Sequence, residues 1–257
     1  MALAGFGFLL GMRHATDADH VIAITTILNR TRRVADTTLI GALWGAGHTI
    51  TVVTVGVLII VFNVVIPPAL GLAMEFAVAL MLIGLGVLNL TGGLGKLTEQ
   101  LTPPAPPHAH EHAHTPLLVP DKAPHSHLHG HGADRRLSAG FGASLGWYQL
   151  LRPLVVGVVH GLAGSAAVAL LVLGTIESTG AAIAYLVIFC LGVAAGMAVL
   201  TTVIGLPLLA ANTRWRQINR WLTVGSGLLS LAFGLYLAYQ IGIVDGLFTG
   251  DFTWAPA

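Results

Sequence analysis

The sequence predicts an all-α protein that spans a membrane six times, as an inverted repeat of three helices plus three helices. The first reason is composition: the chain is 55% hydrophobic and 9% charged, with a mean hydropathy of +0.81, which is typical of integral membrane proteins. The second is that six segments reach the roughly 20 mostly apolar residues needed to cross a bilayer core of about 30 Å. The third is an internal similarity between the two halves.

The predicted spans form two groups. A first unit, 1–94, contains spans at about 2–28, 37–62 and 71–90, and a second unit, 141–245, contains spans at about 150–176, 180–210 and 218–243. A linker, 95–140, separates the units, and 246–257 is a short tail. The first span has a polar centre, RHATDADH, followed by the apolar run VIAITTIL, and no basic residues precede it. We therefore interpret it as one spanning helix and not as a cleaved signal peptide.

The internal similarity pairs the spans in order. FLLGMRHATDADHVIAI aligns with LVVGVVHGLAGSAAVAL and places His14 over His160, while LWGAGHTITVVTVG aligns with LGVAAGMAVLTTVIG and places His48 over Met197. In the third pair of spans, Gly86 aligns with Gly234. Because a repeat of three spans is odd in number, its second copy must enter the membrane from the opposite side. Such inverted repeats are frequent in secondary transporters, whose substrate site lies near the bilayer midplane between the two copies.

The linker differs from the rest of the chain. Seven of the 12 prolines lie in it, and so do eight histidines: His108, His110, His112, His114, His125, His127, His129 and His131. A segment this polar cannot bury enough apolar surface to order itself, so we expect a mobile linker. Three roles stay open for its histidines: an auxiliary metal buffer at the inner mouth, a collector that feeds an exporter, or a solvated tether.

Basic residues predict the orientation. They lie after the first span, at the linker ends and after the fifth span: Arg30, Arg32, Arg33, Lys96, Arg135, Arg136, Arg214, Arg216 and Arg220. The alternate loops contain none. By the positive-inside rule, the linker is cytoplasmic and both termini face outward. We expect a multi-pass protein of a prokaryotic-type cytoplasmic membrane.

Composition also excludes some functions. The formal net charge is only +1, with no massed basic face, so we expect no nucleic-acid partner. The one cysteine, Cys190, lies in an apolar run, which excludes an internal disulfide and a Cys-based zinc motif. No phosphate-binding G-x-x-x-x-G-K-[ST] motif is present, so this chain does not hydrolyse ATP.

RHATDADH places several ionisable groups in the first span. Each central Arg or Asp costs roughly 2.5–3.5 kcal/mol to insert unless it is paired. In an ideal helix His14, Asp17 and His20 share one face with Arg13, whereas Asp19 points elsewhere unless the helix is distorted. Such a cluster is either a metal site or a structural cluster of polar contacts that fixes helix packing.

Imidazoles and a carboxylate in one column suit Ni(II), Co(II), Zn(II) or Cu(II) and suit Ca(II) or Mg(II) poorly. Arg13 cannot bind a cation, so we expect it to hold Asp17 or to reduce the negative charge of the empty site. His48, in the small-residue stretch GAGHT, is a further candidate ligand, with an interhelical hydrogen bond as the alternative. His160, which the repeat places opposite His14, is a weaker candidate, and so is Met197, since a methionine in an apolar helix usually serves packing.

RHATDADHV resembles the signature of the nickel/cobalt transporter (NiCoT) family, a histidine followed after four residues by Asp-His, seen here as His14, Asp19 and His20. Gly47, His48 and Thr49 resemble the family's second motif. The chain is most similar to compact six-span members of the urease-accessory type, and HGLAGSAAV stands where other members have acidic motifs. The resemblance implies Ni(II) or Co(II) permeation and gives a role only to His14, Asp19, His20 and His48.

Together these observations predict a permease that takes up Ni(II) and/or Co(II), driven by membrane potential. Nickel or cobalt is then substrate, and no catalytic cofactor is expected. The expected partners are the lipid bilayer and the ion, with a cytoplasmic metallochaperone and the oligomeric state left open. The alternatives are a nickel/cobalt exporter and an intramembrane zinc-dependent hydrolase, in which Asp17 or Asp19 would act as base.

Overall fold

The computed structural model describes residues 2–28, 34–62, 66–93, 96, 108–112, 125–129, 147–162, 176, 178–214 and 216–253. Its helices are α1 Ala2–His14, α2 Ala18–Leu28, α3 Val34–Phe62, α4 Pro68–Leu90, α5 Trp147–His160, α6 Thr179–Arg214 and α7 Arg216–Tyr239, the last continuing into a π-helical stretch, Gln240–Val244. Two short strands, β1 His108–His112 and β2 His125–His129, form an antiparallel ribbon. Every other regular element in these ranges is helical.

Within the described residues, four helices are long and apolar enough to cross a membrane: Val34–Phe62, Pro68–Leu90, Thr179–Leu206 and Arg220–Val244. They correspond to the predicted second, third, fifth and sixth spans. Many large apolar side chains on these helices are exposed, among them Phe62 at 67% and Val203 at 59%. A helix that shows apolar residues on its outer side is suited to lipid, so the chain is a multi-pass membrane protein.

The predicted first span is two helices in the structure, not one. Ala15, Thr16 and Asp17 form a tight turn between α1 and α2. The amide of Thr16 donates to the carbonyl of Arg13 at 2.8 Å, and the Thr16 hydroxyl donates to the same carbonyl at 2.6 Å. The α-helix stops here because the Thr16 hydroxyl competes for a backbone carbonyl, while the amides of Thr16 and Asp17 bond three residues back, to Arg13 and His14, and not four. The polar centre of the sequence is thus a helix break.

The predicted fourth span is described only in its first part. Helix α5 ends at His160, and Gly161 and Leu162 form a turn. The remainder of that prediction, 163–175, lies outside the described residues. Two apolar helices, Ala18–Leu28 and Leu150–His160, are too short to cross a bilayer alone.

The helices pack in pairs drawn from opposite halves of the chain: α3 with α6, α4 with α7, α1 with α6, and α3 with α5. Glycines set the closest approaches. Gly11 lies against the backbone of Phe189 and Val193 in α6, while Gly157 lies against the backbone of Trp44 and His48 in α3. No side chain fits at either contact, since even a Cβ would overlap backbone atoms. These contacts bring α1, α3 and α5 close enough for their side chains to meet.

Polar side chains fasten the α4–α7 pair. The Asn89 amide donates to the carbonyl of Thr223 at 3.0 Å, and the Ser230 hydroxyl donates to the carbonyl of Leu82 at 2.8 Å. Both Asn89 and Ser230 are buried. Buried polar groups of this kind bond across helices, because lipid offers them no partner.

The histidine-rich segment contains regular structure that its composition did not predict. The register of the ribbon pairs His108 with His129, His110 with His127, and His112 with His125. Because alternate residues of a strand lie on the same face, all six histidine positions share one face of the ribbon. His114 and His131 lie outside the described residues.

Candidate metal-binding site

The site lies where the break between α1 and α2 meets α3 and α5. His14 is the last residue of α1, and Asp19 and His20 lie in the first turn of α2. His48 comes from the middle of α3, and His160 is the last residue of α5. Four of these side chains are buried, with 7% of His14 exposed, 1% of His48 and none of His20 or His160.

Three imidazoles form the first group of possible ligands. The ring centroids of His14 and His20 lie 4.8 Å apart, those of His14 and His48 5.2 Å, and those of His20 and His48 5.5 Å. One nitrogen from each ring lies within 4.8 Å of the others. Two ligands at about 2.1 Å from one ion are separated by at most about 4.2 Å. Small side-chain rotations would therefore close the group around a metal.

Asp19 links a second group. One of its carboxylate oxygens, Oδ1, lies 3.0 Å from Nδ1 of His20, and the other, Oδ2, lies 2.7 Å from Nε2 of His160. The Asp19, His20 and His160 ligand atoms also lie within 4.8 Å of one another. His20 is therefore a member of both groups, and Asp19 fixes the rings of two histidines at once.

Asp17 binds a histidine too. Its Oδ2 atom lies 2.8 Å from Nδ1 of His14, and its side chain is 44% exposed. A carboxylate on one imidazole nitrogen orients the ring and makes the other nitrogen a better metal ligand. Asp17 and Asp19 are placed to do this for His14 and His20.

The opposite nitrogens of these rings are buried without a partner. Among the described residues, no hydrogen bond reaches Nε2 of His14, Nε2 of His20 or either ring nitrogen of His48. Buried polar atoms in proteins are nearly always satisfied, so a cluster of unpartnered nitrogens indicates a bound group. The chemistry of the donors, neutral imidazoles backed by carboxylates, fits a borderline divalent metal such as nickel, cobalt or zinc.

The structure brings together most of the residues that the sequence predicted. His14, His20 and His48 meet as expected, and Asp19 faces inward because the helix breaks before it. The expected pairing of Arg13 with Asp17 is not seen: Arg13 is exposed, and Asp17 contacts His14 instead. In an unbroken helix Asp17 would lie beside Arg13, four residues earlier on the same face. The turn removes that alignment.

Met197 is buried in α6, and its carbonyl accepts a hydrogen bond from Thr201. The backbone near Met197 lies against Gly41, about two helical turns along α3 from His48. This distance favours a packing role. The histidines of the ribbon lie on β1 and β2, which contribute no residue to the buried cluster.

The sequence analysis missed Trp44. Its ring stacks on His20 with centroids 5.7 Å apart and an interplanar angle of 19°, and it meets His160 edge-on at 5.5 Å. Trp44 is fully buried. It lies one helical turn before His48, so the same face of α3 holds both. That spacing was the available signal, and Trp44 forms an apolar wall that keeps the two rings in place.

The fold and the cluster define a multi-pass helical membrane protein with ionisable side chains inside its helix bundle, an arrangement typical of ion transporters. Over residues 1–244 the chain matches NicO, the high-affinity nickel-transport protein family. It belongs to that family. The chain is also similar to the urease accessory protein UreH of Bacillus sp. (strain TB-90), with 31% identity over 248 residues that cover 96% of this chain and 95% of the relative. No solved structure matches it.

Family membership confirms the resemblance inferred from RHATDADH and GHT. The chain is a nickel-transport protein and not an enzyme, so the alternative of an intramembrane zinc hydrolase is wrong. Nickel is its transported substrate and not a catalytic cofactor.

Proposed function

We propose that this protein is a permease that carries Ni(II) and/or Co(II) into the cell through the buried histidine cluster. The observation that supports this most directly is the group formed by His14, His20 and His48, whose unpartnered nitrogens converge at a helix break. A broken helix inside a membrane protein is where secondary transporters bind their ions.

The charges of the site fit a divalent cation. Asp17 and Asp19 are the carboxylates in contact with the cluster, and together they match the two positive charges of one ion. An occupied site with neutral imidazoles is then uncharged as a whole. This lowers the cost of holding an ion inside the bilayer, where an unbalanced charge is expensive.

Reciprocal contacts support the inverted repeat and six spans. Gly11 packs on the Phe189–Val193 turn of α6, and its repeat partner Gly157 packs on the Trp44–His48 turn of α3. Gly47 packs on Leu154 of α5, and Gly192 packs on Phe8 of α1. Exchanging the two halves of the chain converts the Gly11 contact into the Gly157 contact and the Gly47 contact into the Gly192 contact. Such exchange is what a twofold axis between the repeats would produce.

These contacts favour a different register for the second pair of spans. They place Gly47 over Gly192 and His48 over Val193, about one helical turn from the sequence alignment that placed His48 over Met197. In the third pair of spans the contacts agree with the alignment of Gly86 with Gly234. A Cβ added to Gly86 would lie 2.7 Å from the Leu231 amide nitrogen, and one added to Gly234 would lie 2.8 Å from the Ile83 amide nitrogen. We therefore leave Met197 out of the proposed site.

The orientation proposed from the basic residues places both termini outside and the histidine-rich linker in the cytoplasm. A divalent ion entering across 100 mV, negative inside, gains about 4.6 kcal/mol from roughly 2.3 kcal/mol per charge. Membrane potential alone is sufficient for strong accumulation. We place the protein in a prokaryotic-type cytoplasmic membrane on this basis.

We also propose that the linker histidines buffer the ion after it enters. The register of the ribbon supports this, because it sets histidine opposite histidine at three places along the two strands. A buffer of this kind would pass nickel to a soluble metallochaperone.

Uptake of radiolabelled Ni(II) into proteoliposomes with an imposed inside-negative potential tests the proposal. We expect His14→Ala to lower the initial rate by at least about tenfold, because removing even a partner of a metal ligand costs about 10- to 100-fold. His125→Ala, in the ribbon, is the matched control and should transport normally. Equal rates in wild type and His14→Ala would contradict the site, and efflux independent of the potential would favour the exporter instead.

A further inference from the structure

His20 lies between two sets of metal ligands. On one side are His14 and His48, and on the other are Asp19 and His160. Its ring centroid is 4.2 Å from that of His160 and 4.8 Å from that of His14. One fully buried imidazole thus contacts both groups, and an ion bound to either group would be within reach of the same ring.

The two nitrogens of His20 have different roles. Nδ1 lies 3.0 Å from the Asp19 carboxylate, while Nε2 is buried and has no partner among the described residues. Nε2 is therefore the nitrogen available to an ion shared with His14 and His48. For an ion shared with Asp19 and His160, the available nitrogen is Nδ1.

His160 likewise has one ring nitrogen that contacts Asp19 and one that contacts no polar group among the described residues. Its Nε2 contacts Asp19 at 2.7 Å, and its Nδ1 is buried without a partner in the described part of the chain. The internal repeat aligns His160 with His14, and these residues are the last of α5 and of α1. Both helices end at a histidine that belongs to the same cluster.

We propose that the transported ion occupies two neighbouring sites in turn. Site A is formed by His14, His20 and His48, and site B is formed by Asp19, His20 and His160; the direction of transport decides which site is filled first. This proposal rests on the function proposed above. The two sites exclude each other, because two divalent ions on opposite nitrogens of the His20 ring would lie a few ångströms apart and repel four times as strongly as two unit charges at that distance.

Transfer from site A to site B exchanges ligands without a net change in protons. His14 and His48 release the ion while Asp19 and His160 bind it. Each ring changes its tautomer through a water molecule, which accepts a proton at one ring nitrogen and donates one at the other. His20 loses the proton on Nδ1 and gains one on Nε2, which the ion has left, and His160 loses the proton on Nε2 and gains one on Nδ1. In each of the two states three side chains hold the ion, which limits the cost of its charge inside the bilayer.

The test separates binding from transport. Equilibrium binding of Ni(II) to purified protein in detergent, and Ni(II) uptake into proteoliposomes, are measured for wild type, His48→Ala and His160→Ala. We expect wild type to bind one ion in the membrane region. His48→Ala should lose at least about tenfold in affinity. His160→Ala should keep its affinity within about threefold, because site A is intact, and should lose at least about tenfold in uptake.

His160→Gln distinguishes a ligand from a positioning residue. Its amide can still donate a hydrogen bond to Asp19 but is a poor ligand for nickel. Uptake as low as in His160→Ala supports site B. Normal uptake in His160→Gln, or an affinity loss in His160→Ala as large as in His48→Ala, overturns the proposal. If wild type binds Ni(II) but does not transport it, the proposed function fails instead.

Discussion

The protein concentrates histidine in two regions that differ in how the rings are held. In the buried cluster, His14 and His20 each have one ring nitrogen against a carboxylate, at 2.8 and 3.0 Å. The histidine-rich segment 108–131 contains more histidines, eight in number, and the six of them that lie in β1 and β2 are paired by strand register. The difference is that contacts fix the orientation of the rings in the buried cluster, and metal binding in proteins depends on ligand orientation more than on the number of imidazoles.

This comparison predicts different consequences for the same substitution in the two regions. Removing a ring from the buried cluster leaves an incomplete site and a poorly compensated carboxylate inside the bilayer. Removing a ring from the ribbon leaves five others on the same face. The largest effects on transport should therefore come from the smaller group of histidines.

The largest effect is expected for His20→Ala. His20 belongs to both groups of ligands and stacks on Trp44, so its loss should lower Ni(II) uptake by about 100-fold or more, the upper end of the range for partners of a metal ligand. His127→Ala, at the centre of β2, is the control. Rates are compared at equal protein content in the vesicles. A similar loss in both variants would contradict the contrast between the regions.

A tenfold to 100-fold effect is expected for Asp19→Asn. Asp19 orients two histidines and its side chain is 18% exposed, whereas Asp17 orients one and is 44% exposed. We therefore expect Asp19→Asn to lower Ni(II) affinity by about 10- to 100-fold. The matched variant Asp17→Asn should lower it by only about threefold, since solvent weakens the interactions of an exposed charge. Titration of the two purified variants with Ni(II) gives both values. A larger loss in Asp17→Asn would place the principal carboxylate at the helix break.

Much of the fold could be predicted because membrane helices follow hydropathy. Val34–Phe62 and Pro68–Leu90 begin within three residues of the predicted spans and end where expected. The break in the first span could not be located by hydropathy, because Ala15, Thr16 and Asp17 interrupt the helix through local hydrogen bonds. Helix propensity alone does not decide between a polar helix and a polar turn.

The members of the site were predictable, and their geometry was not. His14, His20 and His48 follow from residue type and depth in the spans. The inward position of Asp19 depends on the helix break, and its bridge to His160 joins two residues from opposite halves of the chain. An ideal-helix projection cannot describe either, because it assumes an unbroken helix and considers one helix at a time.

A moderate effect on both stability and binding is expected for Gly157→Ala. The new Cβ would overlap the carbonyl of Trp44 and lie 2.9 Å from the amide of His48, so the helices must separate at the site. Overpacking of this kind costs about 1–3 kcal/mol. Thermal unfolding in detergent and Ni(II) titration measure the two consequences.

Gly84→Ala provides the control for that variant. Among the described residues nothing lies within 4 Å of its Cβ position, and alanine in a helix interior is about 0.5–1 kcal/mol more favourable than glycine. We expect unchanged or raised stability and normal Ni(II) affinity. If Gly157→Ala behaves like Gly84→Ala, the close α3–α5 contact does not shape the site.

The smallest effect on uptake is expected when all six ribbon histidines are replaced by asparagine: His108, His110, His112, His125, His127 and His129. Weak sites in a separate segment do not form the path through the membrane, so the initial rate of Ni(II) uptake should change by less than about twofold. The number of Ni(II) ions bound at equilibrium should fall, with the ion of the buried cluster retained, as measured by equilibrium dialysis. A large loss of uptake would make the ribbon an obligatory part of the path. An unchanged number of bound ions would show that the segment is a tether, because the opposed pairs would then bind no metal.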